Sequence, residues 1–311
     1  MSLGLSVIIC THNPRTEYLS RTLDGLRRQT LPVGAWELLL IDNASKDPVA
    51  PRFDLGWHPN GRHIHEATLG LTPARLRGIA EASADLIVFL DDDNVAEPDY
   101  LERALEIAST CPHLGAWGGQ IKPEFVEPPP SWTERYWPLL AVVTVERDVW
   151  SNLVEQGTTT PCGAGLCVRS AIARRYAEER STNSVRLNLG RKGNNLMSCE
   201  DTDLALMACD FGLGTGRFRR LNLTHLIPPT RLTLEYLTRL AENIAYSLAL
   251  LRWSRGLGLP ERDQPTLVGR LVNAYHRWRI PAEICAMNDA RTRGEEKARR
   301  EIEAKVVPNA S

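Results

Sequence analysis

A chain of 311 residues, 43% of them hydrophobic, is long and apolar enough to bury a sizeable core. Its 37 Lys and Arg against 38 Asp and Glu leave a formal charge of -1, which removes the electrostatic case for general nucleic-acid binding. The same composition excludes a disordered chain, and the 7 irregularly spaced cysteines, with no second pair at zinc spacing, read as reduced thiols of a cytoplasmic protein.

The first apolar run, residues 5–10, reads as a buried strand and not as a secretion signal, because it lacks a basic start and a cleavable small-residue site. No run approaches the length needed to span a bilayer. Residues 17–29 place Leu19, Leu23 and Leu26 on one helical face. Residues 36–41 form a second strand ending sharply at Asp42-Asn43-Ala44-Ser45. Residues 73–84 read as a helix and 86–90 as a third strand. Continuous apolar strands alternating with helices predict an α/β architecture, a mostly parallel sheet covered on both faces. Ligands of such sheets sit beyond the carboxyl ends of the strands. Here those ends deliver Thr11-His12-Asn13, Asp42-Asn43 and Asp91-Asp92-Asp93 to one edge.

The middle changes character. Residues 122–138 hold Pro123, Pro128, Pro129, Pro130 and Pro138, with Trp132, Tyr136 and Trp137 among them, and read as an irregular excursion with aromatic surface. Gly163-Ala164-Gly165 breaks the chain before a strand at 166–168. Residues 187–195 read as a mobile loop in which Arg191 and Lys192 stand between glycines. Glu200-Asp201-Thr202-Asp203 suits a first helical turn. From 233 to 255, Leu237, Leu240, Ile244, Leu248 and Leu251 form one stripe of ordinary globular width. Packing is its first reading, and a peripheral seat on a membrane its second. Residues 291–305 read as a charged, solvated helix.

Taken alone, Asp91-Asp92-Asp93-Asn94 supports a solvated acidic turn as well as a seat for a hard cation, which takes a few protein oxygens together with substrate phosphates. Carboxylates at i and i+2 of a strand end can face one site. Glu200-Asp201 supports a helix cap as well as a positioned general base.

The ordered series 6–13, 41–45, 70–75, 89–94, 163–165 and 200–203 resembles the glycosyltransferase family 2 pattern. Gly70-Leu71-Thr72-Pro73-Ala74-Arg75 and the Asp91–Asn94 run are similar to a bacterial subgroup linked to surface polysaccharide synthesis, with a departure at Leu76, where Asn is common. The resemblance implies a GT-A fold: a Rossmann-like, mixed but mostly parallel sheet flanked by helices over 1–230. Its nucleotide-binding half would be about 1–121 and its acceptor half about 122–230, with a helical C-terminal extension at 231–311. It implies an inverting transfer from a nucleoside-diphosphate sugar, UDP-sugar favoured, to a saccharide or lipid-linked saccharide, assisted by Mn²⁺ or Mg²⁺. The enzyme would be cytoplasmic or peripheral at the inner face of the plasma membrane.

Position by position, the resemblance assigns Thr11 and Asn13 to the base and ribose and Asp42 to an N–H of the base. Arg75 would hold the donor side, Asp91 the ribose or metal, and Asp93 the metal, with Asp92 the outward member of this donor run. His225 would complete the metal site or touch the diphosphate; its other reading is structural. Asp201 would be the catalytic base, with Glu200 the alternative or an acceptor-positioning group. Gly163, Ala164 and Gly165 would admit the acceptor sugar, and Trp132 would stack on it. A nucleotidyltransferase ranks lower because Thr11-His12-Asn13-Pro14-Arg15 lacks the glycine-rich phosphate loop such enzymes carry. A catalytically silent binding module ranks lower because both acidic motifs are present.

Overall fold

The computed structural model describes residues 3–180, 190–191, 196–258 and 279–306. Its first third is β1 (Leu5–Thr11), α1 (Thr16–Arg27), β2 (Trp36–Asn43), β3 (Gly61–Glu66), α2 (Leu71–Glu81) and β4 (Leu86–Asp91). These strands run parallel in the order β3-β2-β1-β4. Side chains alternate across the pleat, so β1 feeds two cores. Leu5, Val7 and Ile9 pack with Leu19, Leu23 and Leu26 of α1 on one face. Ile8 packs with Ile41, Ile79 and Phe89 on the other.

The chain continues through β5 (Asn94–Ala96), α3 (Tyr100–Thr110), β6 (Leu114–Phe125), a 3₁₀ segment (Ser131–Leu140), β7 (Val149–Ser151) and β8 (Leu166–Arg169). It ends with α4 (Ser170–Arg180), α5 (Glu200–Asp210), β9 (Gly214–Ile227), a 3₁₀ turn (Pro229–Leu232), α6 (Leu234–Ser254) and α7 (Ala282–Val306). Among the described residues the sheet has 9 strands in the order β3-β2-β1-β4-β8-β6-β9-β5, with β7 beside β9. β8 runs antiparallel to β4 and β6, and β5 and β7 antiparallel to β9, while β6 and β9 are parallel. The sheet is therefore mixed and mostly parallel with helices on both faces, the α/β class expected.

Several expectations are corrected. Residues 122–125 belong to β6 and are not irregular. Beyond Trp117 the β8 side of β6 carries only an isolated bridge from Ile121 to Val143, so Pro123 lacks no ladder partner. The Trp132 segment is 3₁₀ and its aromatics pack on a buried cluster. The tail helix is not merely solvated: Met287, Ala290, Ala298 and Ile302 of α7 are buried. The α6 stripe is interrupted, since Leu248 is 44% exposed while Leu237, Leu240 and Leu251 are buried. Residues 187–189 and 192–195 of the predicted loop, Lys192 included, lie outside the described residues. No described helix is long and apolar enough to cross a membrane.

Candidate active site

Register brings the strand ends together: Thr11 pairs with Asp42, and Cys10 with Asp91. Beyond them opens a cleft of about 620 Å³, walled by the start of α2, the 138–141 segment, residues 162–164, the start of α5 and the Pro229–Leu232 turn.

The β1 and β2 loops are tied to each other. Asn13, at φ 49°, accepts from Lys46 N–H at 2.8 Å and takes Ser45 Oγ on its own N–H at 2.9 Å. His12 bridges Asn43 O at 2.7 Å and Asn13 Nδ2 at 2.8 Å, which puts its proton on Nδ1. Asp42 accepts from Ser45 N–H at 3.1 Å and Val49 N–H at 3.0 Å. Burial works to raise its pKa, but the bonds from Ser45 and Val49 outweigh it, so its carboxyl sits below the usual range. Asp42 underlies the loop and does not itself line the cleft. Asn43, which the sequence places only at the strand end beside Asp42, accepts from Gly70 N–H at 2.7 Å and donates to Thr68 O at 2.8 Å, fastening β2 to the entry of α2.

The acidic run splits three ways. Thr11 Oγ1 donates to Asp92, whose carboxyl is pushed up by burial and by the charge of Asp93. Asp92 therefore points inward to β1 and is not the outward member. Asp91 lies 3.5 Å from Arg75 Nη2. Asp93 is 4% exposed and immediately precedes β5, whose Asn94 pairs with His225 of β9. Arg231, which the sequence did not single out, forms an ion pair through Nη2 with Asp93 Oδ2 at 3.1 Å and donates from Nη1 to His225 Nε2 at 3.1 Å. Its only sequence mark is its place after Pro228-Pro229, just before a helix.

Across the cleft, Cys199 adopts a left-handed conformation at φ 76° and turns the chain into α5, so that Glu200 and Asp201 enter the cleft at a helix N-terminus. Arg75 is 6% exposed, which rules out a solvent-facing arginine, and it donates to Glu200 Oε1 at 2.8 Å. Burial pushes the Glu200 carboxyl up to about 7, with Arg75 opposing and Asp201 adding. Asp201 Oδ2 accepts the Gly163 N–H at 2.6 Å. A Cβ on Gly163 would collide with Arg75 Nη2 and lie 3.1 Å from Asp201 Oδ2, so a side chain there would push the guanidinium aside. Ala164 lines the cleft beside Gly163. Gly165, at φ 75°, lies behind it, its carbonyl accepting from Tyr100 Oη at 2.6 Å. Trp132 lies outside the cleft, with its ring centroid 6.1 Å from that of Tyr136.

The donor atoms for a divalent cation do not fit one as they stand. Asp93 Oδ2 and His225 Nε2 are 3.4 Å apart, but Asp93 is ion-paired with Arg231, His225 accepts from it, and Asp91 faces Arg75. Among the described residues no group of three His, Cys, Asp or Glu side chains is gathered as for a metal.

Comparison with known proteins matches residues 6–176 to the family model described as Glycosyl transferase family 2. The chain is 27% identical over 144 residues to the glucosyl-dolichyl phosphate glucuronosyltransferase of Haloferax volcanii, covering 43% of this chain and 44% of that protein. It is 35% identical over 107 residues to the validoxylamine A glucosyltransferase of Streptomyces hygroscopicus subsp. jinggangensis, covering 32% and 24%. The matches thus span less than half the length of these curated relatives. Among solved structures, S. aureus TarS 1–349 aligns over 96% of this chain and 89% of that one, at 17% identity and a TM-score of 0.47. Because the family model takes in more than half of the chain, and the acidic motifs within and beyond it meet in one cleft, the protein belongs to glycosyl transferase family 2.

Proposed function

We propose that the protein is an inverting glycosyltransferase that moves a sugar from a nucleoside-diphosphate sugar to a hydroxyl of a saccharide or lipid-linked saccharide. The observation that carries this reading is the facing of Asp91–Asp93 and Glu200-Asp201 across one cleft, with Arg75 reaching both sides. Thr11, Asn13 and the Asp42 loop supply polar groups for the base and ribose, and UDP is the favoured nucleotide. The diphosphate lies along the Asp91–Asp93 side. The acceptor approaches over Gly163 and Ala164, which line the cleft beside Asp201.

Asp201 takes the proton of the acceptor hydroxyl as its oxygen attacks the anomeric carbon from the face opposite the diphosphate. The bond from that carbon to the phosphate oxygen breaks, its electron pair leaves with the nucleoside diphosphate, and the anomeric configuration inverts. The bond from Gly163 N–H holds the Asp201 carboxylate in place. Leu139, Leu196, Tyr236 and Ile244 make the outer wall apolar, which supports an acceptor with an apolar portion. The similarity to a protein named for glucosyl-dolichyl phosphate supports the lipid-linked choice. The subgroup resemblance supports a place in surface polysaccharide synthesis.

The test is Asp201→Asn, assayed by nucleotide release from a panel of nucleotide sugars, with UDP affinity measured by titration calorimetry. Transfer is expected to fall about 10²–10⁴-fold while UDP affinity stays within about threefold. Undiminished transfer by the folded variant would remove Asp201 as the base.

A further inference from the structure

The acidic run is already satisfied by protein donors. Asp92 takes the Thr11 hydroxyl, Asp91 faces Arg75, and Asp93 takes Arg231 together with Asn94 Nδ2 at 3.1 Å. Three like charges at one strand end otherwise call for a cation, and the cation nearest Asp93 is a guanidinium. Because Nη1 of Arg231 donates to His225 Nε2, the imidazole proton belongs on Nδ1, and Nδ1 is buried without a hydrogen-bond partner. His225 is thus turned to Arg231 at the cost of its other nitrogen.

The guanidinium is firmly mounted yet open to the cleft. Arg231 stands on the Pro229–Leu232 turn, its own N–H bonded to Pro228 O at 2.9 Å, immediately before the α6 cap. Its side chain is 27% exposed and lines the cleft. Of the five N–H groups of an arginine, His225 takes one and the ion pair with Asp93 engages Nη2, and a planar fork matches phosphate oxygens better than a point charge does.

We propose that Arg231 is the leaving-group cation of this enzyme. Seated on Asp93 and His225, it occupies the position that the resemblance assigns to Mn²⁺ or Mg²⁺ and donates its remaining N–H groups to the departing diphosphate. The proposal rests on the glycosyltransferase reading above. In the transfer step Arg231 keeps all its protons; the acceptor proton goes to Asp201, and the electron pair of the broken carbon–oxygen bond leaves on the diphosphate.

The test uses the full chain, stripped with EDTA and titrated calorimetrically with UDP and with uridine, and with GDP and dTDP against their nucleosides. Metal-free wild type is expected to bind one of these diphosphates at least about tenfold more tightly than its nucleoside, and Arg231→Met to lose most of that preference. Arg231→Lys, which keeps the charge, is expected to retain part of it. Mn²⁺ uptake followed by electron paramagnetic resonance is expected to be at least about tenfold weaker in wild type than in Arg231→Met, where the seat is vacated. If Arg231→Met does not fold, as judged by circular dichroism, the wild-type and Arg231→Lys titrations decide. Two results overturn the proposal alone: a diphosphate preference that appears only with Mn²⁺, or one that survives unchanged in Arg231→Met. Absence of any nucleotide binding to wild type, with or without Mn²⁺, overturns the glycosyltransferase reading as well.

Discussion

Glu200 is 4% exposed and lies against Arg75, and its burial has a thermodynamic signature. Its carboxyl is pushed up to about 7, while a glutamate in an unfolded chain ionises near ~4.3. Between those values the unfolded chain releases a proton that the folded chain keeps. The stability that this group contributes is therefore full below the unfolded value, falls as pH rises to about 7, and is level above it. The unfolding free energy of wild type relative to Glu200→Gln is expected to decline through that window by at most about 4 kcal/mol, measured by urea denaturation at stepped pH. A difference that stays constant would mean that Arg75 keeps Glu200 ionised throughout. At this scale the sequence points to the right strand ends but not to the partners at them. Asp42 and Asn43 are visible as a polar pair, yet nothing in their spacing says that Asp42 serves Ser45 and Val49 or that Asn43 serves Gly70. Arg231 is invisible because a single arginine after two prolines has no period or repeat to mark it.

Among the elements, those with continuous apolar runs, β1, β2 and β4, are readable from composition because both of their faces are buried. β3 escapes notice because only Ile64 of its 6 residues is buried. β9 escapes because its register against β6 jumps from Gly119↔Phe218 to Gln120↔Asn222. Such an irregularity interrupts the period of two that betrays a strand, and Arg217, Arg219 and Arg220 crowd the same stretch. Thr233 Oγ1 accepts the Tyr236 N–H at 3.2 Å at the head of α6. Thr233→Ala is expected to lower stability by about 1 kcal/mol, read from the midpoint of chemical denaturation. A change within experimental error would show that the prolines before the helix set its start without the hydroxyl.

Across the whole molecule, the sequence suggests a GT-A unit ending near residue 230 and a helical extension after it, but the buried contacts cross that line. Leu140 and Ile227 pack with Leu237 and Leu240 of α6 and Met287 of α7. Cys199, the residue that turns the chain toward Glu200, packs with Leu250, Leu251 and Ile302. Residues 1–232 made alone are expected to lose the sharp thermal transition of the full chain and to bind a hydrophobic dye; a monodisperse fragment with an unchanged transition would make the extension an accessory. The pairing of Asn94 with His225 carries a consequence for synthesis on the ribosome. The loops after β1, β2 and β4 emerge with the first third of the chain, while β9 and Arg231 emerge far later. Contacts so distant in sequence close last because the chain between them must first be ordered. A nascent chain would thus hold the β1, β2 and β4 edge of the cleft before it holds Arg231, and on the proposed function it could bind a donor productively only once β9 has left the ribosome.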